Sequence, residues 1–382
     1  MQYFALTVIG ISNIFAFAEL GRDLEYENLR AKSGIDHPNI VWKQFHDSGD
    51  IFGLIAQNST WSVLDGSEYS VFVNKSENRI DDVRIIPLSP KGAKKATEVP
   101  NNTTYDDSFA RTKIFPLAAA AYSDNPEVCL NNSFVNATLY RIVNITCDTR
   151  GKNDICAGFT AVSHNDSAII LSFRGTNSFT QLLVEANSST MEEMVSSPIG
   201  GKVGAYYVNA FNKLWINSSM GSDLLDLKNT FPDYELWITG HSLGGSLATL
   251  AAAHVVNDRR YSSTPLKLFT LGEPRTGDKD FAQAIYETFP PNSTYRITHS
   301  RDPVVHLPSS SYRNYTHNIA EVWYHNSMAK NTNYTAICAN DGESKNCSGQ
   351  IRYVFSVNDH LKYFGQRVSS FGIDGCVNKK KN

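Results

Sequence analysis

Apolar positions change rhythm along this chain. The first 18 residues, MQYFALTVIGISNIFAFA, are almost wholly apolar. Beyond them, up to about residue 110, short β-type runs are separated by Gly, Asn, Asp and Pro. These runs are Ile40-Val41-Trp42, Ile51-Phe52-Gly53-Leu54-Ile55, Tyr69-Ser70-Val71-Phe72-Val73 and Val83-Arg84-Ile85-Ile86. They predict a small β-rich region, and the polar stretch 89–105 has the composition of a linker. From Arg111 onward helical and buried-strand patterns alternate. Residues 115–122 and 204–230 read as helix, and 168–173, 236–239, 266–271 and 295–298 as strands. An alanine-rich helix follows Ser242. Such alternation predicts an α/β sheet with helices on both faces, carried by residues 111–382.

Composition adds a compartment to this plan. Ala16 and Ala18 are the small residues that signal peptidase accepts, so residues 1–18 read as a signal peptide cleaved after Ala18. No later stretch is long and apolar enough to cross a bilayer, which predicts no transmembrane span after cleavage. The six cysteines, Cys129, Cys147, Cys156, Cys338, Cys347 and Cys376, are an even number, as disulfides require. None has the C-x-x-C spacing of a zinc or redox site, and no metal is expected. N-x-S/T sequons recur from Asn58 to Asn346. Together these features predict a secreted, glycosylated, extracellular protein. A net charge of −3 argues against a nucleic-acid partner.

The chemistry centres on residues 234–256. There a strand pattern ends at Gly240 and a small-residue helix begins after Ser242, with Gly240-His241-Ser242-Leu243-Gly244 between them. G-x-S-x-G in strand–turn–helix context is a nucleophile elbow. The sharp turn exposes the Ser242 hydroxyl and leaves the Leu243 N–H at a helix N-terminus, where it can face an oxyanion.

A serine hydroxyl is a poor nucleophile without a base and an orienting carboxylate. Where this elbow recurs, the chain order is Ser, acid, His. Asp302 directly follows the strand 295–298 and is the candidate acid. Four histidines follow it. His306 lies too near Asp302 to come from a separate loop, and His317 and His325 flank the aromatic strand Val322-Trp323-Tyr324. His360 stands where a loop leads into the last helix. Upstream, the strand ending at Phe173 runs into Arg174-Gly175-Thr176, and Thr176 is placed to give a second oxyanion N–H.

Several motifs in order make the region 113–377 resemble the fungal-type (class 3) triacylglycerol lipases. They are Phe173-Arg174-Gly175-Thr176, the elbow with Gly245, Gly272-Glu273-Pro274-Arg275-Thr276-Gly277-Asp278, Arg301-Asp302-Pro303-Val304-Val305-His306-Leu307-Pro308, His317 with Glu321-Val322-Trp323-Tyr324, and His360-Leu361 with Tyr363-Phe364. The resemblance implies an α/β-hydrolase fold with a mostly parallel central sheet. It implies ester hydrolysis by Ser242, Asp302 and His360, an oxyanion hole from Thr176 and Leu243, and no cofactor. It further implies the bridges Cys129–Cys376, Cys147–Cys156 and Cys338–Cys347, and a mobile lid after the oxyanion loop.

Residues 19–110 lie outside the usual family domain. The lid region carries the apolar cluster Phe179, Leu182, Leu183 and Val184, but lacks the Trp of several lipase lids. It also holds Glu185, Glu192, Glu193 and the sequon at Asn187. These polar residues predict weak activation by a lipid–water interface. The expected function is a secreted carboxylic-ester hydrolase acting on acylglycerols. Esterases for phospholipid, monoacylglycerol or feruloyl-type esters, and a catalytically retired lipid-binding protein, are the competing readings.

Overall fold

The computed structural model describes residues 105–146, 155–175, 193–261, 264–289, 292–338, 343–351 and 356–377 in full, and five strands between residues 40 and 87 by their backbone pairing. Ile40–Gln44, Ile51–Gln57 and Thr60–Val63 pair antiparallel, and Tyr69–Ser76 pairs with Arg79–Pro87. The four N-terminal runs read from sequence fall on four of these strands. The proposed signal peptide lies outside the described residues.

Eight strands form the central sheet, and their order in space is their order in the chain. They are β1 (Ala137–Thr146), β2 (Ile155–Ser163), β3 (Ala168–Phe173), β4 (Glu235–His241), β5 (Leu266–Leu271), β6 (Thr294–His299), β7 (Ala320–Tyr324) and β8 (Ala336–Cys338). β1, β2 and β3 are joined antiparallel. β3 through β7 run parallel, and β8 turns back antiparallel. The sheet is mostly parallel, as the alternation of helix and strand patterns predicts. β1 and β2 were not picked out by the apolar pattern.

Alternate residues of each strand serve opposite faces. Ile169, Leu171 and Phe173 of β3, with Leu236 and Ile238 of β4, join one core. That core is closed by α3 (Ala205–Asn212), α4 (Met220–Thr230) and α5 (Leu243–Asn257). Ala168 and Ile170, Trp237, Phe269 and Leu271 join the other. It is closed by α1 (Phe115–Ala120), α2 (Pro126–Ser133) and the C-terminal α8 (Val368–Ile373). The amphipathic α6 (Lys279–Thr288) and the short α7 (Val357–Leu361) complete the set used here. Packing reaches back ahead of Arg111: the Tyr105 ring lies 5.2 Å from that of Tyr295, and Phe109 lies 4.8 Å from Trp237.

On the α5 face the far end of the sheet is polar. Arg296 of β6 and Glu321 of β7 are buried there and meet at 3.4 Å. Glu273, just after β5, is also buried and accepts hydrogen bonds from Thr249 on α5, from Thr270 and from Thr276. Burial pushes its carboxyl up, while these hydroxyls and Arg296 pull it back part of the way.

Disulfides join Cys129 of α2 to Cys376 and Cys338 of β8 to Cys347. Cys156 on β2 is also disulfide-bonded; Cys147 lies outside the described residues. No helix among the described residues is long and apolar enough to cross a membrane.

Candidate active site

Parallel strands end together, so the loops leaving β3, β4, β5 and β6 converge at one edge of the sheet. That edge is where α/β sheets place their ligands. Gly240 on β4 pairs with Phe173 at the end of β3, and His241 with Leu271 at the end of β5.

Ser242 stands on the turn from β4 into α5 with φ 62° and ψ −131°. A non-glycine residue there carries roughly 1–3 kcal/mol of strain. The surroundings enforce it: the Ser242 N–H is held by the Leu271 carbonyl at 2.9 Å and its own carbonyl by the Gly245 N–H at 2.8 Å. A side chain at Gly240 would collide with the Gly244 carbonyl, and one at Gly244 with the Phe173 carbonyl. Ser242 is only 2% exposed, and among the described residues its Oγ has no hydrogen-bond partner. Leu243 begins α5, so its N–H is one of the unpaired donors at that terminus.

Asp302 is fully buried beyond the end of β6. Both of its oxygens lie 2.9 Å from His360 Nδ1. The Tyr363 hydroxyl donates to Oδ2 at 2.7 Å and the Val304 N–H to Oδ1 at 2.8 Å. Burial alone would raise this carboxyl; the His360 ring, Tyr363 and Val304 outweigh it and hold Asp302 below the usual carboxylate value. Gly272, after β5, makes room for the pair: a Cβ there would stand 2.8 Å from Asp302 Oδ2 and 3.1 Å from His360 Nδ1.

His360 rides on α7, which is tied to the Asp302 loop at several points. Ser356 caps α7 through the Asp359 N–H, and its own N–H donates to the Arg301 carbonyl. The Arg301 N–H donates to the Asp359 carboxylate at 3.0 Å. His241, the neighbour of Ser242, stacks on the His360 ring with 4.6 Å between centroids, and its Nε2 lies 2.8 Å from the His360 carbonyl. Its Nδ1 lies 2.8 Å from the Tyr122 hydroxyl. Burial and the adjacent His360 hold His241 down to about 3. The elbow and the His360–Asp302 pair are therefore one packed cluster.

The remaining histidines are placed elsewhere. His306 is half-buried, with its basicity pushed down to about 3 by burial of the ring and by Arg275. His317 is buried against the Val305 carbonyl. His325 stacks on Trp323 at 4.5 Å. Thr176 and the cluster Phe179, Leu182, Leu183 and Val184 lie outside the described residues. Among the described residues no group of His, Cys, Asp and Glu could hold a metal. Sequence reasoning missed the support given by Tyr363, His299 and Asp359. Only the spacing of His360 and Tyr363 at i, i+3 hinted at it.

A family model described as lipase (class 3) matches residues 170–312, from β3 through the Asp302 loop. A lipase of Caenorhabditis elegans is 32% identical over 309 residues, covering 72% of this chain and 84% of that protein. The chain belongs to the class 3 lipase family. It is a carboxylic-ester hydrolase with the α/β-hydrolase fold. A Rhizopus niveus lipase is 32% identical over 210 residues, 54% of this chain and 50% of its own length. Secreted mono- and diacylglycerol lipase A of Penicillium camembertii is 32% identical over 169 residues, 44% of this chain and 51% of its own. The chain thus spans about half the length of these two class 3 relatives. The crystal structure of a lipase from Rhizopus microsporus var. chinensis matches with a TM-score of 0.60 at 26% identity, covering 73% of this chain and 96% of that one.

Proposed function

We propose that this class 3 lipase is secreted and cleaves acylglycerols through an acyl-enzyme formed on Ser242. The contact of His360 Nδ1 with both Asp302 oxygens, beside a strained serine elbow, carries the reading. Asp302 fixes the tautomer that leaves Nε2 as base. His360 then takes the Ser242 proton as Oγ attacks the ester carbonyl, and returns it to the leaving alcohol. The Leu243 and Thr176 N–H groups stabilise the tetrahedral oxyanion. Water, activated by the same His360, releases the acid.

An acylglycerol substrate is supported by the relative named for mono- and diacylglycerols. Phe179, Leu182, Leu183 and Val184 are read as the apolar side of a lid that meets lipid, with the polar residues after them weakening its response to an interface. Secretion is supported by the signal-like residues 1–18, the disulfides and the sequons.

The test is Ser242→Ala. It removes one oxygen, so folding should survive while turnover of p-nitrophenyl esters and emulsified acylglycerols falls by several orders of magnitude. A fluorophosphonate should label wild-type protein at Ser242. Labelling at a different serine, or full turnover in Ser242→Ala, would refute the assignment.

A further inference from the structure

His299 is the last residue of β6 and is buried. Its ring faces main-chain carbonyls on two sides. Nδ1 lies 2.9 Å from the Asp359 carbonyl and 2.6 Å from the Lys362 carbonyl. Nε2 lies 2.9 Å from the Asn326 carbonyl. Residues 359 and 362 bracket His360 in the chain. The main chain of His299 is engaged as well: its carbonyl accepts the Asp302 N–H at 2.9 Å, and its N–H donates to the Tyr363 oxygen at 3.3 Å. One residue thus touches the support of both Asp302 and His360.

Carbonyl oxygens accept hydrogen bonds and have no hydrogen to give. A neutral imidazole carries a proton on one nitrogen only, so its other lone pair would point at a carbonyl lone pair in a buried site. Leaving such a buried group unsatisfied costs free energy. Only the imidazolium, with N–H on both sides, serves all three carbonyls. The Tyr363 ring lies 5.7 Å from it, His325 after β7 is close enough to feel its charge, and the carboxylate of Asp359 on the held turn pairs with Arg301 at 3.7 Å. The Asp359 carboxylate provides negative charge on the turn being held.

We propose that His299 is a positioning residue: protonated on both ring nitrogens, it grips the main chain either side of His360 and so fixes where the base stands against Ser242. This rests on the reading of His360 as the base. His299 touches no reacting atom, so it acts through the placement of His360. Loss of one ring proton releases one side of the grip. Misplacing a catalytic group by about 1 Å costs on the order of 100-fold in rate.

Two variants of the full chain test it on a soluble ester. His299→Phe keeps a ring and removes every donor; kcat should fall at least about tenfold with KM within about twofold. His299→Asn places an NH₂ group near the Nδ1 position, with two hydrogens for the two bracketing carbonyls. It should keep kcat within about threefold of wild type. Unchanged kcat in His299→Phe, or equal losses in the Phe and Asn variants, would overturn the proposal. Should His299→Phe not fold, the ring protonation of the wild type still decides. ¹⁵N-histidine NMR adds a readout that needs no turnover: both His299 nitrogens should be protonated at the pH of greatest fold stability. A single neutral tautomer there would overturn the proposal. A wild type with no esterase activity but a doubly protonated His299 would instead sink the proposed function.

Discussion

Gly272 shows how little room a single position in this site leaves. Its φ is +60°, which a side chain disfavours, and an added Cβ would press on Asp302 Oδ2, on the Tyr363 oxygen at 2.9 Å and on His360 Nδ1. These three groups form the hydrogen-bonded unit that orients the imidazole. Gly272→Ala is therefore expected to separate His360 from Asp302 rather than merely strain the turn. We expect kcat for a soluble ester to fall on the order of 100-fold, with a loss of about 1–3 kcal/mol in urea stability. A variant that lost stability but kept kcat would show that the pair can shift as a unit without penalty. The glycine was legible in the sequence as part of Gly272-Glu273-Pro274-Arg275, but its reason was not. The atoms it avoids lie on Asp302, His360 and Tyr363, which no local pattern connects to residue 272.

At the scale of elements, the site depends on two short pieces with opposite legibility. The β4–elbow–α5 unit was readable because every requirement is local: apolar strand, glycines either side of Ser242, small residues behind it. Ala248, Ala251, Ala252 and Ala253 are fully buried, which explains why that helix is alanine-rich as it lies close on the sheet. The α7 turn carrying His360 was placed by its station in the chain alone, since its anchors are residues some 60 positions away, at His299 and Arg301. β1 was not read because polar residues and a bulge between Leu139 and Arg141 interrupt its apolar positions, and β2 because the small residues Ala157, Gly158 and Ala161 dilute its apolar run. Ser356 gives a test of the α7 turn. Its hydroxyl accepts from the Asp359 N–H at 3.1 Å, a helix N-cap. Ser356→Ala should cost about 1 kcal/mol in stability and lower kcat several-fold with KM little changed, because His360 follows the turn. Thermal unfolding and steady-state kinetics on one preparation would check both. A stability loss with unaltered kcat would show that the His299 and Arg301 contacts hold the turn without the cap.

For the molecule as a whole, covalent and electrostatic terms set where it is stable. Cys129–Cys376 spans 247 residues, and in the loop-entropy model such a bridge contributes about 5 kcal/mol by restricting the unfolded chain, against about 2–3 kcal/mol for the Cys338–Cys347 loop of separation 9. Acid acts against these terms through the buried histidines. Burial holds His241 and His306 to about 3 and His317 well below its ordinary value, so all three stay neutral in the fold. Unfolded histidines take up protons below about pH 6.5. For a base whose folded pKa is lowered, the stability it permits is present above the unfolded value and is lost as pH falls toward the folded one. His241 and His306 therefore each remove on the order of 1 kcal/mol per pH unit between about 6.5 and 3, and His317 acts in the same direction. Glu273 works in the other direction: burial raises its pKa, so the fold keeps a proton that the unfolded chain gives up above about 4.5. It offsets part of the histidine contribution in the range just above that value. Asp302, held low, adds its own loss only below about pH 4. Urea unfolding at constant ionic strength should accordingly show stability falling by several kcal/mol from pH 7 to pH 5, well before the carboxylates titrate. A profile that is flat across that interval would mean that these histidines are charged in the fold, and with them the neutral His241 stacked on His360.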